Sequence, residues 1–195
     1  MRQRLRTICI ALVTCLAVDS ALAQRDDVTR LTEEGRKTAD SLVQMIRSEL
    51  VKAIDTSGPL RAIVVCKYSV PEITSNISRT SGWKVSRVAL RPRNPALGAA
   101  DAWEQRAILG FEQAVARGEK EPFEAAEVVT EPAGKFFRYA RALTLAPLCM
   151  TCHGPTENIT EAVKAQLAAE YPNDRATGYK PGQVRGAVTI KRPLL

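Results

Sequence analysis

A single histidine, His153, stands among the 195 residues, and that scarcity removes whole classes of site. Zincin motifs, two-histidine zinc fingers and metal centres with paired axial histidines all need a second imidazole. Aromatic side chains are also few, at 5%, so little of the core volume comes from rings. There is no internal repeat and no low-complexity tract. A quarter of the residues are charged, in both signs, which excludes global disorder. The length and a 45% hydrophobic content suit one compact domain with a real core.

The first 23 residues are set apart from fold reasoning. Arg2, Arg4 and Arg6 precede a run from Ile8 to Val18 that is apolar apart from Thr14 and two cysteines, and Ala21-Leu22-Ala23 follows. This is the three-part pattern of a secretory signal peptide cleaved after Ala23, and it is too short to span a bilayer comfortably. Lipoprotein processing before Cys15 is the lesser alternative, because Thr14 is a poor residue there. The expected organisation is a leader over 1–23 and a single domain over 24–195, exported to the periplasm, with no membrane span in the mature chain. Losing three Arg and Asp19 takes the net charge from +7 to +5. Export argues against nucleic acid as the partner of this basic chain; acidic proteins or acidic cofactor groups are the better match.

Cleavage also removes Cys9 and Cys15, leaving Cys66, Cys149 and Cys152, an odd number for an oxidising compartment. Val28 to Ile54 carries an amphipathic helical pattern through Leu31, Ala39, Leu42, Ile46, Leu50 and Ala53, stopped at Ser57-Gly58-Pro59. Such a helix either pairs with a second copy of the chain or packs across a sheet. Ala62 to Cys66 has the composition of a short strand. A helix is predicted over Pro71 to Thr80, a strand over Trp83 to Leu90 and a Pro-rich loop over Arg91 to Gly98. Asp101 to Arg117 follows as a helix capped by Asp101. Phe123 to Thr130 and Lys135 to Leu143 form a hairpin, Asn158 to Glu170 a helix and Val184 to Lys191 the last strand. Gly186 inside that strand weakens it locally and marks where a ligand approaches the backbone. Five strands with inserted helices predict an α+β domain.

Between hairpin and helix lies Cys149-Met150-Thr151-Cys152-His153, the CxxCH spacing of a covalent haem c site. Two thiols three residues apart can each add across one haem vinyl group, and the adjoining imidazole then serves as an axial iron ligand. A thioredoxin-like redox pair, a structural disulfide and a zinc site completed by Cys66 are the rival readings. With one histidine, the sixth iron position is either open or held by another residue. Met45 and Cys66 are the candidates, and a buried free thiol is the plain alternative for Cys66.

An ordered set of segments goes further than CxxCH alone. VVCKYSVPEI, GWKVSRVALRPRNPAL, the Asp101-to-Glu104 helix start, KFFRYARAL, PLCMTCHG and YPNDRATGYKPGQVRGAVTIKRPL follow one another from Val64 to Leu194, within a likeness that covers roughly Val28 to Leu195. Together they resemble a family of exported c-type haem proteins of PAS-like fold, known in cyanobacteria and in sensor portions of bacterial signalling proteins. The resemblance implies a five-stranded antiparallel sheet with haem against it, and axial ligation by His153 and Cys66. Haem would then supply part of the core that the scarce aromatics do not. Arg91 and Arg93, or Tyr179 and Lys180, are candidate partners for its propionates, while Phe136, Phe137 and Tyr139 suit sheet packing.

A redox or small-ligand sensor is the leading expectation, with a periplasmic electron-transfer cytochrome as the alternative. A peroxidase, which needs an open iron and distal acid–base groups, is the weakest. No kinase, cyclase or methyl-accepting segment follows the last strand, so sensing implies a separate redox or signalling partner protein, and the N-terminal helix offers a route to a homodimer.

Overall fold

The computed structural model describes residues 2–194, with side chains described from residue 27 onward. The side chains on which the leader reading rests therefore lie outside the described residues. Among those described, no helix is long and apolar enough to cross a membrane.

Helix α1 runs over Arg2–Val64 and leaves helical geometry once, at Gly58, where φ is +77°. Glycine takes that angle without the penalty a Cβ would bring. Pro59 then restarts the helix, its fixed φ and missing N–H both suiting a first turn. The predicted stop is thus a kink. Leu31, Ala39, Leu42, Ile46 and Ala53 are buried along one stripe of α1, in one core cluster with Phe137, Tyr139, Val188 and Ile190 of the sheet. This part of α1 therefore packs across the sheet. At Gly35 the approach is close, since a Cβ there would stand 3.1 Å from Tyr139 Cγ.

A five-residue π-helical turn, Val65–Ser69, joins α1 directly to α2, Val70–Ser81. The predicted strand over Ala62 to Cys66 is corrected here: the segment is helical. Its β-branched composition is outweighed by packing, because Ile63 is buried in one core cluster while Ala62 and Val65 are buried in another. A run buried on two sides reads the same in a strand as in a helix.

After α2 come β1, Lys84–Val88, the short α3, Pro95–Gly98, and α4, Ala102–Ala116. Asp101 caps α4 as predicted, in a reciprocal box: Oδ1 accepts from Glu104 N–H at 2.9 Å, and Asp101 N–H donates to Glu104 Oε2 at 2.8 Å. The hairpin β2, Glu124–Glu131, and β3, Gly134–Thr144, turns at Pro132-Ala133. Helices α5, Met150–His153, and α6, Glu161–Glu170, precede β4, Val184–Leu194.

The four strands form one antiparallel sheet in the order β1-β4-β3-β2. The expected five therefore become four, within an α+β architecture of PAS-like type with a long N-terminal helix. One sheet face carries α1 and α2. The other carries α4, through Trp103, Ile108 and Phe111 against Val88, Ala140 and Ala187. Tyr139 donates to Glu124 Oε1 at 2.7 Å, and Arg36 reaches the same carboxylate at 2.7 Å, tying α1 to the β2 edge.

Candidate functional site

Cys66 sits in the wide turn between α1 and α2. Pro71, two residues into α2, carries no N–H, and in an unbroken α-helix its ring would crowd the Lys67 carbonyl. The π turn opens that spacing, and Val70 N–H bonds to Val65 O across it. The neighbouring Lys67 pins the turn to α6 through Glu170 at 2.7 Å.

The CxxCH segment folds as one tight helical unit, Pro147–Cys149 followed by α5. Helical spacing sets Cys149 and Cys152 on one side, three residues apart. Cys152 packs against the cluster of Ile63, Ile159, Val163, Leu167 and Tyr171. Arg93, only 9% exposed, donates to the Cys152 carbonyl and to Asp174 Oδ2, the latter at 3.0 Å. Backbone bonds from Gly178 N–H to Gly154 O at 2.7 Å and from Tyr179 N–H to His153 O at 3.0 Å lay the Pro/Gly-rich loop along the same turn.

The His153 ring is oriented by that loop. Its Nδ1 lies 2.6 Å from Ala176 O and 3.2 Å from Arg185 Nε. A carbonyl oxygen only accepts, so the shorter contact puts the proton on Nδ1. Arg185 then stands beside the ring as a charge without a lone pair to donate to. Nε2 keeps its lone pair and has no hydrogen-bond partner among the described residues, which is the state of an imidazole ready to ligate. Burial, together with the positive charges of Arg93 and Arg185, pushes the His153 pKa well below its usual value and keeps the ring neutral.

Cys66 and His153 line the same cavity, of about 400 Å³, within the range of cofactor pockets. Its walls come from the π turn, α2, β1, the loop after β1 and the start of β4. Burial raises the pKa of the Cys66 thiol, opposed by the charges of Arg87, Arg93 and Arg185. Four cations line the cavity and no carboxylate does. Lys67 and Arg93 have acidic partners in Glu170 and Asp174, whereas Arg87 and Arg185 have none among the described residues. Burial first, and then the Arg93 and Arg87 charges, push Arg185 down to about 10.

Of the residues singled out from sequence, Cys66, His153, Arg93 and Gly186 line this cavity, and Cys152 flanks it from the α6 side. Cys149 is the N-cap of α5. Gly186 is forced by β1: a Cβ there would stand 2.2 Å from Val88 O. Arg91 lies off the cavity, stacked 3.9 Å over the buried Tyr179 ring, with a bond to Thr177 O. Lys180 is exposed and bonds through its N–H to Gln183. Met45 is 40% exposed on α1, outside the lining. Phe137 and Tyr139 are buried in the sheet core. Phe136 lies under Lys191, 4.1 Å from its ring centre. The three cysteines are free thiols, and among the described residues no three His, Cys, Asp or Glu side chains converge to hold a metal ion.

Sequence reasoning missed Arg87, Arg185, Asp174 and Ala176. A signal existed for Arg87. Arg87 falls two residues after the inward Val85, which puts an arginine on the covered face of β1. Arg185 is the extra residue of a β-bulge, where Leu143 pairs with Gly186 and Thr144 with Val184. Nothing in the sequence pattern pointed to the Asp174 and Ala176 contacts.

Fold and site together define an α+β protein of PAS-like architecture, with a CxxCH turn and a distant cysteine brought to one cavity. The chain belongs to the Tll0287-like family, whose sequence model matches residues 18–193. Among solved structures it is similar to the crystal structure of the cyanobacterial heme-protein Tll0287, at 23% identity and a TM-score of 0.63, over 83% of this chain and 94% of that one. At that identity the likeness bears on the fold. No curated protein matches the chain.

Proposed function

We propose that this chain is an exported mono-haem c-type protein, with haem held by Cys149 and Cys152 and its iron ligated by His153 and Cys66, acting as a redox or small-ligand sensor. The observation that carries the reading is the setting of His153: Nδ1 lies 2.6 Å from Ala176 O, Nε2 has no hydrogen-bond partner among the described residues, and the residue lines a cavity that Cys66 also lines. The haem protein named among the structural relatives supports it through shared family and fold. The residues fit the group. A neutral nitrogen and a sulfur serve one cavity, two thiols stand at attachment spacing, and the cations on the walls suit propionates. When bound, haem supplies a one-electron iron couple.

The chain's own groups set how that couple is used. The Ala176 carbonyl holds the imidazole and raises its basicity. Cys66 would hold the iron as thiolate, a form that the neighbouring arginine charges favour and burial opposes. The π turn that carries Cys66 continues into α1 and α2 without an intervening loop, so displacement of the sulfur reaches both helices. This supports a switch more than a fixed carrier. The signal would pass to a redox or signalling partner, with an acidic face complementing the basic chain, and α1 offers a route to a homodimer.

Expression in a periplasm with cytochrome maturation factors is expected to give a red protein whose haem resists acid–acetone extraction. The joint substitutions Cys149→Ala and Cys152→Ala should abolish covalent haem. A colourless wild-type protein with stoichiometric zinc would overturn the reading. Sensor and carrier are separated by carbon monoxide. Ready binding to the ferrous protein, with changed hydrogen exchange over residues 45 to 70, is the sensor result. Refusal of carbon monoxide with identical exchange in both states would favour the electron-transfer alternative.

A further inference from the structure

The cavity has a charge pattern that iron ligation does not use. Four cationic side chains line it, no carboxylate lines it, and two of the four, Arg87 and Arg185, have no acidic partner among the described residues. Charges held at a cavity wall without a counter-ion are costly unless a ligand supplies the opposite sign. Arg185 is placed there by a specific device, the β-bulge at Leu143/Thr144. Its guanidinium lies against neutral groups, with Nε 3.2 Å from the His153 ring, Nη1 3.3 Å from the Arg91 carbonyl and the Tyr179 ring face at 5.6 Å. Arg87 comes from the neighbouring strand β1 and has no hydrogen-bond acceptor among the described residues. By contrast Arg93 is spent on Asp174 and the Cys152 carbonyl, and Arg91 lies outside the cavity.

We propose that Arg87 and Arg185 form a two-point anion subsite that takes the two carboxylates of a dicarboxylic porphyrin. The proposal rests on the haem reading above and adds to it which residues recognise the porphyrin's acid edge. It moves that role from Arg91 and Arg93 to a pair of residues on β1 and β4. Guanidinium groups suit the task because their planar donors match carboxylate geometry and stay charged when partly buried.

The test separates carboxylate recognition from iron ligation and from attachment. Protein carrying Cys149→Ala and Cys152→Ala, which cannot form thioethers, is titrated with haemin and with haemin dimethyl ester, following quenching of tryptophan fluorescence. The expected result is at least tenfold tighter binding of the free acid than of the diester. Adding Arg87→Met and Arg185→Met should weaken haemin about tenfold, leave the diester unchanged and so erase the preference. The ester comparison needs no arginine substitution, so it stands even where those variants fold poorly. Equal affinity for acid and diester overturns this proposal and leaves the haem reading intact. Refusal of both, together with a wild-type protein that matures without covalent haem, overturns both. A preference that survives both arginine substitutions also overturns the assignment.

Discussion

Arg93 shows how much of the site is held by groups that touch no reacting atom. It sits on the loop after β1, yet it fixes the attachment turn through the Cys152 carbonyl and the 171–179 loop through Asp174. Both partners of the ion pair are largely buried, with side chains 9% and 12% exposed. Removing one partner of such a pair leaves a buried charge uncompensated, which costs about 3–5 kcal/mol. Arg93→Met is therefore expected to lower stability by about 3 kcal/mol, and Asp174→Asn in the same chain to recover part of the loss. A double-mutant cycle by urea denaturation measures the coupling. Additive effects of the two substitutions would show that the pair does not act as one clamp. The same residue marks a limit of sequence reading. Its place near the site is legible from the Pro-rich loop, but its partner lies 81 positions away and has no signal of its own.

Among the elements, those with local signals were legible and those governed by packing were not. The α4 capping box, the hairpin at Pro132-Ala133 and the amphipathic stripe of α1 all follow from short patterns in the sequence. Ala62 to Cys66 did not, because β-branched residues buried on both sides carry no periodicity that separates helix from strand. That one segment also decides how Cys66 is mounted: on a π turn continuous with two helices, rather than at a strand end. The attachment of α1 to the sheet gives an element-scale prediction. Burial raises the Glu124 pKa, but hydrogen bonds from Arg36 and Tyr139 together hold it below the usual carboxylate value. A carboxyl depressed in the folded state adds stability that is present above its unfolded pKa, about 4.3, and is lost as pH falls through the folded value. Glu124→Gln should thus be less stable than wild type at neutral pH, with the gap closing below about pH 4. Urea melts of both proteins from pH 7 to pH 3 check this. A gap that stays constant across the range would remove Glu124 from the acid response.

At the scale of the whole molecule, the chain brings four distant stretches to one cavity. The α1–α2 turn brings Cys66, the α5 turn brings His153, and β1 and β4 bring Arg87 and Arg185, which have no acidic partner among the described residues. The CxxCH spacing by itself suggested the proposed attachment chemistry, while the common cavity required the fold. Membership of the Tll0287-like family accounts for the architecture, and the pairing of Cys66 with His153 across one cavity is the central functional claim. The absorption spectrum of the ferric protein, wild type beside Cys66→Ala, tests it most directly. Both proteins should hold covalent haem through Cys149 and Cys152. The variant should lose the low-spin thiolate-ligated spectrum and show a higher reduction potential, because a strong anionic donor has gone. Identical ferric spectra from the two proteins would contradict the account and leave Cys66 as a buried thiol.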